Sequence, residues 1–179
     1  HGRRLKGLAL QIQSVNTVFI NSKNKKIGFN TDLIGFQTIL DDLNINNPKA
    51  LVLGSGGASK TISYCLKLKE IKHIIISRKP KINMKKYSEI NKMIDDFNLI
   101  INTTPLGQYP KINNAPKIPY HLISNKHYCI DLIYNPSKTV FLKKAEEQGA
   151  RIMNGENMLI EQAEKAWEIW KYLIKQNYV

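Results

Sequence analysis

At 179 residues, with 42% hydrophobic and 23% charged side chains, the chain has the composition of a globular protein holding one complete core, or one domain plus a piece of another. Its formal charge of +13 comes from 27 Lys and Arg against 14 Asp and Glu. The cations are spread along the chain with no basic block interleaved with aromatics, which argues against a nucleic-acid partner and for a general attraction to small anionic molecules.

No apolar run approaches the roughly 20 residues of a membrane span, and no secretory signal follows His1-Gly2-Arg3-Arg4. Cys65 and Cys129 lack metal-type spacing, so the expectation is a reduced, cytoplasmic protein without a metal site.

In chain order, residues 17–21 and 26–29 read as a hairpin about the turn-rich Asn21-Ser22-Lys23-Asn24, followed by a helix over 31–43. Apolar runs at 51–53, 74–76, 99–101 and 128–130 read as strands, most of them separated by segments of helical spacing. That alternation predicts a parallel sheet. Between the first two runs, 58–68 is a helix with Ile62, Cys65, Leu66 and Lys69 on or near one side. A further helix over 139–147 stops at Gly149, and 151–153 supplies one more short strand. The last segment, 158–178, is a long amphipathic helix carrying Ile160, Ala163, Trp167, Trp170 and Ile174, and such a stripe must pack on something.

The richest local signal is Leu51-Val52-Leu53-Gly54-Ser55-Gly56-Gly57-Ala58-Ser59, an apolar strand entering a glycine turn and then a helix. Gly54 permits a sharp turn, Gly56 lets backbone N–H groups approach a pyrophosphate, and the helix offers its positive end to the anion. Ser59 stands where a third glycine would complete the pattern. About 20 residues on, the strand His73-Ile74-Ile75-Ile76 ends in Ser77-Arg78-Lys79 instead of the carboxylate that grips an NAD ribose. Cations there favour a 2′-phosphate, so NADP is the expected cofactor. The competing reading is that Arg78 and Lys79 are two more solvated charges.

Five further clusters need a common explanation: Ser14-Val15-Asn16-Thr17, residues 28–36 with Asn30-Thr31-Asp32 at their centre, Asn102-Thr103-Thr104-Pro105-Leu106-Gly107, Asp131-Leu132-Ile133-Tyr134-Asn135-Pro136, and residues 154–163 beginning Asn154-Gly155-Glu156-Asn157. In this order, with the glycine turn between the second and third, the set resembles the shikimate dehydrogenase family over nearly the whole chain. The resemblance implies an α/β fold: a Rossmann-like parallel sheet with helices on both faces, over 33–153. It also implies remnants of a smaller α/β substrate domain at 1–32, and a C-terminal helix from 154–179 that returns to that domain.

The implied activity is NADPH-dependent reduction of 3-dehydroshikimate to shikimate in aromatic amino-acid (chorismate) biosynthesis. The resemblance assigns Asp32 as the catalytic residue and Asn16, Asp32, Tyr134 and Gln162 as substrate contacts. Gly54, Ser55, Gly56, Gly57, Ala58, Ser77, Arg78 and Lys79 would hold the adenosine and pyrophosphate part of NADP, and Thr103, Thr104 and the backbone near Leu132 and Gly155 the nicotinamide half. A ketone that accepts hydride needs a proton on its oxygen, which a carboxylate coupled to a lysine can hold and orient. Plainer readings stand beside these: Asp32 as a first-turn acid with Thr31 as helix cap, Tyr134 and Thr103-Thr104 as turn residues, Gln162 as a solvated helix position.

The family pattern also has a serine pair for the substrate carboxylate, and a lysine in a Val-Thr-x-Pro-x-Lys-like motif about 20 residues before the position of Asn16. Only 15 residues precede Asn16 here, and Lys6 stands too close to it to be that lysine. His1, Arg3 and Arg4 read as solvated. The expectation is that residues 1–179 alone are inactive. Alternatives are a relative that binds NADP without catalysis, a quinate/shikimate dehydrogenase, or a non-enzymatic interaction protein docking through helix 158–178. The missing first domain would leave the hairpin and that helix without their packing partner, so poor solubility, self-association or a homodimer through the apolar stripe is expected.

Overall fold

The computed structural model describes residues 3–5, by backbone, and 7–176; the expectations for His1, Lys6, the side chains of Arg3 and Arg4, and the helix end at Tyr178 lie outside the described residues. Two compact units emerge, one formed by residues 1–43 and 157–179, the other by 44–156. Among the described residues no helix is long and apolar enough to cross a membrane.

The second unit is a six-stranded, wholly parallel sheet of β4 (Lys49–Leu53), β5 (Lys72–Ile76), β6 (Met84–Lys85), β7 (Leu99–Asn102), β8 (Tyr128–Asp131) and β9 (Arg151–Met153). Their order is β6-β5-β4-β7-β8-β9. With helix α3 (Gly57–Leu68) packed on β4 and β5 and α4 (Val140–Glu147) on β8 and β9, this is the expected Rossmann-like parallel sheet with flanking helices. Burial on both faces explains why β4 and β7 read as continuous apolar runs.

Leu51, Leu53, Ile100 and Cys129 point into one core with Phe141, Leu142 and Ala145 of α4 and with Ile90, Ile94 and Phe97. By the two-residue period of a strand, Ala50 and Val52 face the other way. Ile62, Cys65 and Leu66 of α3 are buried as expected, whereas Lys69 is exposed beyond the helix end. The short β6 and the 3-10 turns at Tyr87–Lys92 and Ile94–Asp96 carry no periodic signal and were not expected.

The first unit has a three-stranded sheet in the order β1 (Arg3–Leu5), β3 (Lys26–Phe29), β2 (Thr17–Ile20). The β2–β3 pair is the expected antiparallel hairpin, while β1 adds a parallel edge that the sequence reading lacked. Helices α1 (Leu8–Ile12), α2 (Asp32–Asp42) and α5 (Glu156–Lys175) complete this unit's described elements. Helix α2, expected on the Rossmann side of a boundary at 33, groups with this unit. The close approach of α2 to α5 accounts for it: a Cβ added at Gly35 would stand 2.6 Å from the Met158 carbonyl oxygen.

Two expectations for α5 are corrected. The hairpin and helix do not lack a partner, because Phe19 and Ile27 pack with Leu173, and Phe29, Ile169 and Trp170 close around them. The buried stripe is therefore Met158, Ala166 and Leu173, whereas Ile160, Trp167 and Ile174 are exposed. Both stripes satisfy a helical period, and the reading took the one that contains the larger residues.

Candidate functional site

In the second unit, β4 passes into α3 through Gly54-Ser55-Gly56. Gly54 adopts φ +112°, and a Cβ there would lie 2.8 Å from Thr103 Oγ1 and 3.0 Å from Thr104 Cγ2. Its N–H donates to Ile76 O at 2.8 Å, tying the turn to β5. Nothing lies within 4 Å of a Cβ built on Gly56, and residues 55–57 are exposed. No side chain caps α3, so the donors of its first turn face an open approach. Ala58, partly exposed, sits in that turn. Ser59, in place of a third glycine, is buried and donates from Oγ to Gly56 O at 2.8 Å. A hydroxyl is thus accommodated where helix and strand meet.

At the end of β5, the Ser77 hydroxyl is buried, lies 2.9 Å from Ser55 Oγ, and accepts from Lys79 N at 3.2 Å. Arg78 and Lys79 are exposed. β5 and β7 flank β4 on opposite sides, so the glycine turn stands at the point where the strand order reverses, the usual ligand crevice of an open parallel sheet. An uncapped helix end, an open Gly56 and two cations at the neighbouring strand end fit a dinucleotide carrying a 2′-phosphate.

On the other side of β4, Leu53, Asn102 and Asp131 are register partners at three strand ends. Thr103 donates from both N and Oγ1 to Leu53 O, at 3.0 and 2.8 Å. Asn102 Oδ1 accepts from Thr104 N at 3.0 Å and Thr104 Oγ1 at 2.7 Å. Both threonine hydroxyls are therefore engaged in holding the loop. A Cβ on Gly155 would fall 2.1 Å from Leu132 O, so only glycine permits that approach. Tyr134 is 48% exposed.

The residue that sequence reasoning passed over is Asp131. It is fully buried and accepts from Asn102 Nδ2 at 3.0 Å, Ile133 N at 3.1 Å and Thr139 Oγ1 at 2.6 Å. Burial pushes its carboxyl up to about 6, against the lowering effect of those three donors. An acid ending an otherwise apolar strand, Tyr128-Cys129-Ile130-Asp131, was the available signal.

In the first unit, Asn16, Asp32 and Gln162 come together although 146 residues separate Asn16 from Gln162. Asn16 Nδ2 lies 2.9 Å from Thr31 Oγ1, 2.8 Å from Asp32 Oδ1 and 3.2 Å from Gln162 Oε1. Its Oδ1 accepts from Thr31 N at 2.8 Å. The Thr31 hydroxyl donates to Gln162 Oε1 at 3.3 Å and lies 3.2 Å from that of Thr17. Thr31 thus makes no side-chain cap on α2; Asn30 Oδ1 accepts from Leu33 N in that role. Burial raises the Asp32 carboxyl above its ordinary range, partly offset by the bond from Asn16. A polar cluster holding a carboxyl raised by burial suits recognition of a hydroxylated ligand and proton handling.

No protein-family model matches the chain. It is 41% identical over 175 residues to the NADP(+) shikimate dehydrogenase of Clostridium beijerinckii, a match spanning 91% of this chain and 63% of that protein. Among solved structures, the chorismate mutase/shikimate 5-dehydrogenase fusion protein of Clostridium acetobutylicum aligns with 31% identity and a TM-score of 0.78, over 98% of this chain and 69% of that one. The shikimate 5-dehydrogenase of Thermus thermophilus, solved with NADP(H) and shikimate, aligns with 27% identity and a TM-score of 0.77, over 93% and 65%. The chain therefore spans about 63% of the length of the curated relatives it matches. On this identity and coverage, joined to the fold and the ordered motifs, the chain belongs to the shikimate dehydrogenase family.

Proposed function

We propose that the chain is the cofactor-binding part, with a portion of the substrate-binding part, of an NADP-dependent oxidoreductase that interconverts 3-dehydroshikimate and shikimate. In this reading residues 44–156 bind NADP, while 1–43 and 157–179 are the portion of a smaller substrate domain. The observation that carries it is the meeting of Asn16, Asp32 and Gln162, three residues whose roles the family resemblance had assigned separately. The Thermus thermophilus enzyme, solved with NADP(H) and shikimate, supports the same cofactor and substrate class.

The cofactor, when bound, supplies or accepts the hydride. The residues would hold it as follows: backbone donors of Ser55 to Ala58 on the pyrophosphate, Arg78 and Lys79 on the 2′-phosphate, with Ser77 shaping that strand end, and Thr103, Thr104, Leu132 and Gly155 along the nicotinamide half. Asn16, Gln162 and Tyr134 are polar groups able to pair with ring hydroxyls. For each hydride added to a ketone carbon a proton must reach its oxygen, and a carboxyl raised by burial, such as Asp32, retains that proton nearer neutrality than an exposed one.

The test is turnover followed by NADPH absorbance. The 179 residues expressed alone should show negligible shikimate oxidation, because hydride transfer needs ketone and nicotinamide fixed within about 3–3.5 Å. Joined to the part of the relatives' sequence that this chain does not span, they should become active, and Asp32→Asn should then lower turnover by roughly 10²–10⁴-fold with NADP affinity nearly unchanged. Full activity of that variant would remove Asp32 from the mechanism.

A further inference from the structure

Leu53, Asn102 and Asp131 end three adjacent parallel strands in register, so the loops that leave them share one edge of the sheet. From the glycine turn outward they are joined side chain to backbone without a break. Gly54 abuts Thr103 and Thr104; Thr103 is bonded to Leu53 O; Asn102 holds Thr104 through Oδ1 and reaches Asp131 through Nδ2. Asp131 then bonds forward, Oδ1 to Ile133 N and Oδ2 to the Thr139 hydroxyl, which itself caps α4 by accepting from Leu142 N at 3.3 Å.

A carboxylate is the one side chain of this size that accepts at both ends. Asn102 must present its amide NH₂ to residue 131, because its carbonyl is taken by Thr104, and the Thr139 hydroxyl, which accepts from Leu142 N, donates to the ionised Asp131 because a carboxylate has no proton to give. A bond to an ionised acceptor is about twice as strong as one between neutral groups. The cluster therefore fixes both loops in one arrangement, although no part of Asp131 is exposed to touch a ligand.

Building on the dinucleotide reading above, we propose that Asp131 is a positioning residue for the half of the cofactor remote from Arg78 and Lys79, holding the loops that follow Asn102 and Asp131 in the arrangement that half requires. By sheet order, Arg78 and Lys79 on the β5 side of the glycine turn would hold the adenosine 2′-phosphate, and the loops after β7 and β8 would hold the other half. Asp131 acts on the second alone.

The experiment compares two probes by calorimetry on the full 179-residue chain: NADP, and 2′,5′-ADP, which carries the 2′-phosphate but no nicotinamide half. Asp131→Ala should weaken NADP by roughly tenfold or more, the loss of one or more bonds to a charged acceptor, and leave 2′,5′-ADP within about twofold. Asp131→Asn, which keeps the acceptor for Asn102 and Ile133 but not that for Thr139, should fall between. Retained 2′,5′-ADP binding shows that the variant is folded. Equal weakening of both probes, complete loss of both, or no change in either overturns the proposal. Failure of the unsubstituted chain to bind either probe instead overturns the dinucleotide reading itself.

Discussion

Gly54 and Gly56 lie two residues apart in the same turn yet do different work, and alanine at each position separates the two. At Gly54 the backbone is held at φ +112°, which costs a residue with a side chain about 1–3 kcal/mol. The new Cβ would also stand 2.8 Å from a Thr103 hydroxyl that is anchored on Leu53 O and 3.0 Å from a methyl of Thr104, and overpacking of this kind costs about 1–3 kcal/mol. Gly54→Ala should therefore lose about 3 kcal/mol or more, which is a fall in Tm of about 10 °C for a chain of this size. At Gly56 the backbone is extended, φ −86° and ψ −165°, and the Cβ meets nothing. The weaker helix cap and the stiffer unfolded chain nearly cancel, so stability should stay within about 1 kcal/mol. The methyl would occupy the approach to the α3 amides, and NADP affinity should drop by about tenfold or more. Thermal unfolding paired with NADP calorimetry reads both. Unchanged NADP affinity in Gly56→Ala would refute the assignment of this turn to the phosphate, and an unchanged Tm in Gly54→Ala would refute the packing argument.

Asp131 should also impose a pH dependence. Its carboxyl is raised to about 6 from an ordinary 3.8, so the folded chain holds that proton more tightly than the unfolded one; the stability this gives is complete below about pH 4 and is lost as pH rises through about 6, a change of up to about 3 kcal/mol. Cys129, pushed up to about 12 by burial, and Tyr120, also raised by burial, stay neutral throughout that window. Denaturant unfolding between pH 4 and pH 7 should show a flatter stability profile for Asp131→Asn than for the parent, and identical profiles would contradict the assignment. On α5, Leu173→Ala should cost about 2–4 kcal/mol, because Leu173 is 5% exposed and packs on Phe19 and Ile27. The adjacent Ile174→Ala, at a site 52% exposed, should cost less than about 1 kcal/mol, and equal losses would show that the wrong stripe has been identified as buried.

The parallel sheet was legible because strands buried on both faces must be continuously apolar, and Leu51 to Leu53 and Leu99 to Ile101 are. The antiparallel hairpin was legible from its turn residues. What escaped were elements fixed by partners rather than by pattern. β6 is two residues held by β5, and β1 has meaning only beside β3. The register of α5 is decided by Phe19 and Ile27, far away in sequence, and either of its two apolar stripes satisfies the helical period. At the candidate site, residues with recognisable chemistry in recognisable motifs, Asn16, Asp32 and the glycine turn, were found. Asp131 was missed because its role consists of accepting bonds from three places, two of them outside its own motif, and its one local sign is an acid at the end of an apolar strand.

The central claim is that this chain carries an NADP site of its own, built on the Gly54–Gly57 turn and the cationic end of β5. Calorimetric titration of the 179-residue chain with NADP and with NAD tests it most directly, with Arg78→Asp measured alongside. NADP should bind more tightly than NAD, and Arg78→Asp should abolish or reverse the preference, since losing a charge-assisted pair costs about 1.5–3 kcal/mol, or roughly 10–150-fold in affinity. No binding of either nucleotide, or equal affinity for the two before and after the substitution, would contradict it.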